Sequence, residues 1–215
     1  DATKPKHGFV RTRDWQLAHV VESATGVVAL TFQCHSEKED LALFPHAFSI
    51  QLTLTLSDHI DISFTVKNLS PTEMPFSWAL HSYFCVDHLE AVRITGLENH
   101  TYLDATQTFA PIVQEGAVCF QSEVDRVYEN VGHEQLIKGS PALSISGRQC
   151  PTAIVWNPGK TLAEKMADIT AQHYDEYICL ERGAAFGNTW KVSPNESVTA
   201  ELSISRDHKD HESIR

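Results

Sequence analysis

The chain has 215 residues, 42% of them hydrophobic, and 17 Lys and Arg against 28 Asp and Glu give it a formal charge of −11. That apolar content supports a buried core and argues against global disorder. The acidic balance argues against nucleic acid and anionic membrane as partners, since both need a basic face, yet it leaves room for an anionic small substrate held by a local Arg or Lys cluster.

No apolar run reaches the roughly 20 residues of a membrane span, and no signal peptide is visible at the start. Cys34, Cys85, Cys119, Cys150 and Cys179 form no CxxC, and their number is odd. They read as reduced thiols of a cytoplasmic protein, not as a disulfide framework or a zinc site.

Lys6-His7-Gly8-Phe9-Val10-Arg11 opens as a loop. Trp15 to Val21 and Val27 to Cys34 are predicted strands around a Ser23-Ala24-Thr25-Gly26 turn. The charged stretch from His35 to Asp40 is expected to be solvated. Ile50, Leu52, Leu54 and Leu56 alternate with polar residues, as do Ile60, Ile62, Phe64 and Val66, which predicts a hairpin with one dry and one wet face. Phe76, Trp78 and Leu80 share a strand face, so the following His81 points to the other. Pro75 is expected at a strand start or an edge.

Short strands follow at Val92 to Gly96 and Thr101 to Leu103, with Asp104 to Gly116 mostly connection, and Val118 to Phe120 leads to the short, charged and aromatic Ser122 to Tyr128. Gln135 to Lys138 and Ala142 to Ser146 predict another hairpin. Ala153 to Trp156 ends at the turn signal Asn157-Pro158-Gly159. Thr161 to Ile169 is the one expected helix, with Thr161 as N-cap and Glu164 three residues on. Tyr177 to Glu181 and Val198 to Ile204 complete the strands, and residues 206–215 read as a fraying tail. Many short strands with intervening turns predict an all-β antiparallel sandwich, and no linker divides it, so residues 1–215 are expected to form a single domain.

His81 can give or take a proton near neutral pH, but one of 12 histidines beside aromatic residues also suits a purely structural role. Glu181 ends the apolar run Ile178-Cys179-Leu180, where a carboxylate is costly to bury unless it is paired. Its alternatives are to face water or to pair with Arg182. Asp125 and Arg126 fit a surface ion pair, His7 and Arg11 fit ordinary loop residues, and Trp156 fits a core aromatic. His208 and His211 are a weak metal hint on the tail. No P-loop, dinucleotide fingerprint, zinc motif or nucleophile elbow is present.

Five segments taken in order resemble the aldose 1-epimerase superfamily, and within it the D-hexose-6-phosphate mutarotase (glucose-6-phosphate 1-epimerase) group. They are Lys6 to Arg11, Leu80-His81-Ser82-Tyr83-Phe84, Asp125-Arg126-Val127-Tyr128, Val155-Trp156-Asn157-Pro158 and Cys179-Leu180-Glu181-Arg182-Gly183. The resemblance implies a galactose-mutarotase-like β-supersandwich that interconverts sugar anomers. It assigns His81 as general acid and Glu181 as general base, Asp125 to sugar hydroxyls, His7 to substrate binding and Arg11 to the sugar or its phosphate. Trp156 or Phe9 would offer a flat apolar wall for a sugar face.

The implied partner is a small-molecule sugar or sugar phosphate. No metal or other cofactor is required, and the oligomeric state stays open. A binding or regulatory module that keeps the fold without the chemistry is the alternative. Family members usually carry several dozen residues before the His-Gly-Phe segment, including early strands and a phosphate-binding Arg. The sequence starts after that stretch, either because it is trimmed or because the gene product is short; if short, edge strands would be uncovered and phosphate contact would rest on Arg11, with Lys6, Arg13 or Arg126. Arg182 also departs from the family pattern, and pairing with Glu181 would weaken that base.

Overall fold

The computed structural model describes residue 5, residues 7–167, residue 169 and residues 172–207. The first strands are β1 (Gln16–Glu22), β2 (Val28–His35), β3 (Phe48–Leu56), β4 (Ile60–Asn68) and β5 (Met74–Phe76). Next come β6 (Trp78–Leu80), β7 (Tyr83–Cys85), β8 (Arg93–Thr95), β9 (Thr101–Asp104) and β10 (Ala110–Val113). They are followed by β11 (Val124–Tyr128), β12 (Glu134–Lys138), β13 (Leu143–Arg148), β14 (Thr152–Asn157) and β15 (Tyr177–Ala184). The last are β16 (Trp190–Val192) and β17 (Ser197–Arg206). Two compact units form, one from Asp1–Phe76 with Trp190–Glu201 and the other from Ser77–Thr189 with Leu202–Arg215.

The first unit is built on an antiparallel meander in which β1 to β4 pair in sequence order. The alternation read in β3 and β4 sets its register. Ile50 meets Val66, Leu52 meets Phe64, Leu54 meets Ile62 and Leu56 meets Ile60. Residues directly opposite share a face, so the apolar set lines one side. Phe44, Phe48 and Phe76 pack there with ring centroids 5.7 to 6.1 Å apart. Pro75 sits in β5, which pairs only with β16 in a two-stranded sheet and so needs no further ladder donor.

The His35 to Asp40 stretch is not all solvated as expected. Asp40 is 2% exposed, accepts the Glu37 backbone N–H at 2.8 Å and holds the Arg13 guanidinium, which also reaches Glu37 at 3.0 Å. A buried carboxylate demands such a cation. Arg13 is therefore committed to Asp40 and Glu37, and it drops out as a phosphate ligand.

The second unit carries a seven-stranded sheet in which β10, β9, β11, β14, β15 and β6 follow one another, with β7 also paired to β15. Opposite lies the set β8, β12 and β13. Ile94, Ile137 and Ile145 from that set pack in one core with Tyr128, Val155, Ile178 and Leu180 of the sheet. This sandwich leaves the other face of the seven-stranded sheet outside the core.

Two local expectations change. Ala110–Val113 is a strand inside the stretch read as connection. The helix is Gly159–Ala163, two residues earlier than expected and without a Thr161 cap. Asn157 explains the shift: its Oδ1 accepts the Gly159 N–H at 2.8 Å, and its amide donates to the carbonyls of Tyr174 and Tyr177. Part of the predicted helix, Lys6, the tail from residue 208 and its His208 and His211 lie outside the described residues.

β6 approaches β15 so closely at Gly183 that an added Cβ would stand 2.1 Å from the Trp78 carbonyl oxygen. Overpacking of this kind destabilises by about 1–3 kcal/mol. Gly183→Ala is accordingly expected to lower the melting temperature by several degrees in calorimetry, and an unchanged transition would contradict the close β6–β15 contact.

Candidate active site

β15 is the strand that builds the site. Its residues alternate between the sandwich core and the outer face of the sheet, as the pleat requires. Ile178 and Leu180 are core residues of the sandwich, so Tyr177, Cys179 and Glu181 face the other way. On one side of β15, Trp156 pairs with Cys179 and Ile154 with Glu181. One strand further out, Asp125 pairs with Trp156. Opposite partners share a face, which puts Asp125, Trp156 and Glu181 together.

On the other side of β15, Leu80 pairs with Arg182 and Tyr83 with Cys179. Both pairs belong to one continuous register, interrupted only where Ser82 N–H turns back to the Leu80 carbonyl at 2.9 Å. That break brings His81 level with Glu181. His81 Nε2 stands 3.5 Å from Glu181 Oε1, with the imidazole 40% exposed and the carboxylate side chain 9% exposed. The carboxylate lies on the floor and the imidazole on the rim.

Aromatic rings surround the pair. Tyr83 stacks on His81 at 4.8 Å and 9°, and Trp156 meets the same imidazole edge-on at 5.9 Å. Tyr177 lies 5.3 Å from Tyr83 and 6.2 Å from Trp156. Tyr83 and Tyr177 were not among the predicted residues. Their even offsets from His81 and Glu181, two and four residues, carried the signal.

Burial, followed by the negative charge of Asp125, pushes the Glu181 carboxyl up to about 7. It can therefore exchange a proton at neutral pH, as a general base must. Glu181 and Arg182 do not pair, which removes that alternative. They are neighbours on one strand and point to opposite faces, and Arg182 is 1% exposed among acceptors of the core.

Arg126 likewise points away from Asp125, donating to Gln114 at 2.9 Å and lying 4.6 Å over the Tyr102 ring, so it too drops out as a phosphate ligand. His7 and Arg11 belong to the first unit. Arg11 sits exposed on the 3-10 turn Val10–Thr12. Among the described residues no group of three His, Cys, Asp or Glu is placed to hold a metal ion, and no helix is long and apolar enough to cross a membrane. A groove of about 790 Å³ elsewhere in the second unit, lined by His88, Arg93, Lys160 and Tyr174 among others, contains none of the predicted site residues.

The family model for aldose 1-epimerase matches residues 2–205. The chain belongs to the aldose 1-epimerase family. Within that family it is 30% identical to a Cenchrus ciliaris protein named "Putative glucose-6-phosphate 1-epimerase", over 93% of this chain and 64% of that one. A protein of the same name from Escherichia coli is 27% identical over 93% of this chain and 67% of its own length. The chain thus spans about two thirds of these relatives.

In fold, this aldose 1-epimerase family member resembles the crystal structure of a "putative mutarotase" from Salmonella typhimurium. The TM-score is 0.84 at 24% identity, covering 94% of this chain and 67% of that one. A Synechocystis protein gives 0.78 at 20% identity, covering 95% and 70%. The antiparallel β-supersandwich expected from the motifs is the fold observed.

The raised Glu181 pKa has a stability consequence. A carboxyl near 4.5 in the unfolded chain and near 7 when folded stabilises the folded state most below pH 4.5, and that contribution is lost as pH rises through 7. Relative to Glu181→Gln, the unsubstituted chain should therefore lose about 1–3 kcal/mol between pH 4.5 and 8. Urea denaturation of both proteins across that range checks this, and parallel curves would contradict a shifted carboxyl.

Proposed function

We propose that this chain interconverts the α and β anomers of an aldohexose, with Glu181 as general base and His81 as general acid. The observation that carries this is the 3.5 Å contact of His81 Nε2 with Glu181 Oε1 on an accessible sheet face, beside Asp125 and Trp156. A hemiacetal carbon bears two oxygens, and ring opening needs a proton taken from one and given to the other. The Glu181 carboxylate takes the proton of the C1 hydroxyl while the His81 imidazolium protonates the ring oxygen. The C1–ring oxygen bond breaks, and its electron pair stays on that oxygen.

Rotation about C1–C2 then presents the other face of the aldehyde. Closure returns one proton from Glu181 to the carbonyl oxygen and one from the ring-opened hydroxyl to His81. Protons balance without an external donor. Asp125 accepts hydrogen bonds from sugar hydroxyls, and Trp156 with Tyr83 and Tyr177 gives the C–H face of the ring an apolar wall.

The preferred substrate on this reading is a hexose 6-phosphate such as glucose 6-phosphate. The names of the relatives support this, and Arg11 supplies an exposed guanidinium with no ion pair among the described residues. His7 is assigned to substrate binding beside it in sequence.

Polarimetry on freshly dissolved α-glucose 6-phosphate tests the reaction. Glu181→Gln and His81→Asn should each slow anomerisation by about 10²-fold or more with the fold intact, and full activity in either would overturn the assignment. The wild-type rate should fall as pH drops through about 7, where Glu181 gains its proton. Arg11→Ala should abolish a preference for the phosphorylated sugar over free glucose. A chain that binds sugar without speeding equilibration would be a binding module instead.

A further inference from the structure

Arg182 follows the proposed base on β15 and points into the core, where it is 1% exposed. Its guanidinium has five N–H donors, and each finds an acceptor. Nε donates to the Cys150 carbonyl at 3.2 Å. Nη2 donates to the same carbonyl at 2.9 Å and to that of Gly132 at 3.4 Å. Nη1 donates to Gln135 Oε1 and to the His133 carbonyl at 3.4 Å.

All four acceptors are neutral. Among the described residues the titratable group that acts on the guanidinium is the Cys150 thiol, and burial pushes its pKa up, so it carries no charge. Burial lowers the Arg182 pKa, but a guanidinium starts above 12 and stays protonated. The carbonyl dipoles satisfy its geometry and leave a whole positive charge under the sheet.

Glu181 sits directly above on the same strand. From the outer face it is met by His81 at the β6–β7 break, by Asp125 on β11, and by Cys179 and Tyr177 of its own strand. Burial and Asp125 both hinder its ionisation. On the core face of the same strand, Arg182 is buried with a positive charge.

We propose that Arg182 is a positioning residue for the base. Its fork fixes β15 against residues 132–135 and Cys150, and its buried charge keeps the Glu181 carboxylate available near neutral pH. This role presupposes proton transfer at Glu181, but it can be measured without substrate. Charges on opposite faces of one strand stand on the order of 10 Å apart. At an effective dielectric of about 20 that separation moves a carboxyl pKa by about one unit.

The test is a carbon-13 NMR titration of the Glu181 carboxyl in the whole chain, assigned by its loss in Glu181→Gln. Arg182→Met should raise the Glu181 pKa by about one unit, while Arg182→Lys, which keeps the charge, should restore most of it. Gln135→Glu is isosteric, leaves Arg182 in place and neutralises it by a buried ion pair, so it should raise the Glu181 pKa in the same direction. That variant decides the matter if Arg182→Met fails to fold. A Glu181 titration unmoved in folded Gln135→Glu overturns the proposal. Absence of anomerisation in the wild-type chain would sink the proposed reaction while leaving these titrations to be read on their own.

Discussion

The site depends on a carboxylate held out of water beside an imidazole, on the one sheet face that the sandwich core does not use. Neither group is placed by its own loop. Glu181 is fixed by a strand whose alternate residues are locked into the core. His81 is fixed by a break between two short strands that keep one register on that same strand. Backbone pairing therefore sets the distance between the two groups, and the side chains need little further ordering. That is the kind of pre-organisation acid–base chemistry exploits.

β15 also divides the chemistry from the scaffold within eight residues. Its outer face carries Glu181 and Tyr177, and its inner face carries Ile178, Leu180 and Arg182. Gly183 is the point where β6 closes onto it. The sequence Cys179-Leu180-Glu181-Arg182-Gly183 is thus a strand in which each position answers to a different neighbour. A change at any of them acts on Glu181 through the backbone even when it touches no substrate.

Much of this was legible in the residues. Period-two alternation gave β3 and β4, and the placement of His81 opposite the apolar face of its strand agrees with its exposure. A carboxylate closing an apolar run marked Glu181. The partners of the charges were not legible, because they are set by which strands meet. Arg182 looked like the neighbour of Glu181 but belongs to the other face. Arg13 and Asp40, far apart in sequence, neutralise one another in the first unit. Asn157 took over the helix start through a side-chain hydrogen bond that propensity does not reveal. Tyr177 was visible as a strand residue and Tyr83 only as part of the His81 segment, and their place against His81 and Trp156 required the register.

A fold hosts many chemistries, so the family likeness supports the scaffold, and the proposed reaction rests on the Glu181–His81 pair. The most direct test of that pair is a crystal structure of the chain with glucose 6-phosphate bound. The account predicts the C1 hydroxyl within about 3.2 Å of the Glu181 carboxylate and the ring oxygen within the same reach of His81, with the sugar against Trp156. A sugar bound with its anomeric carbon away from both groups would contradict it.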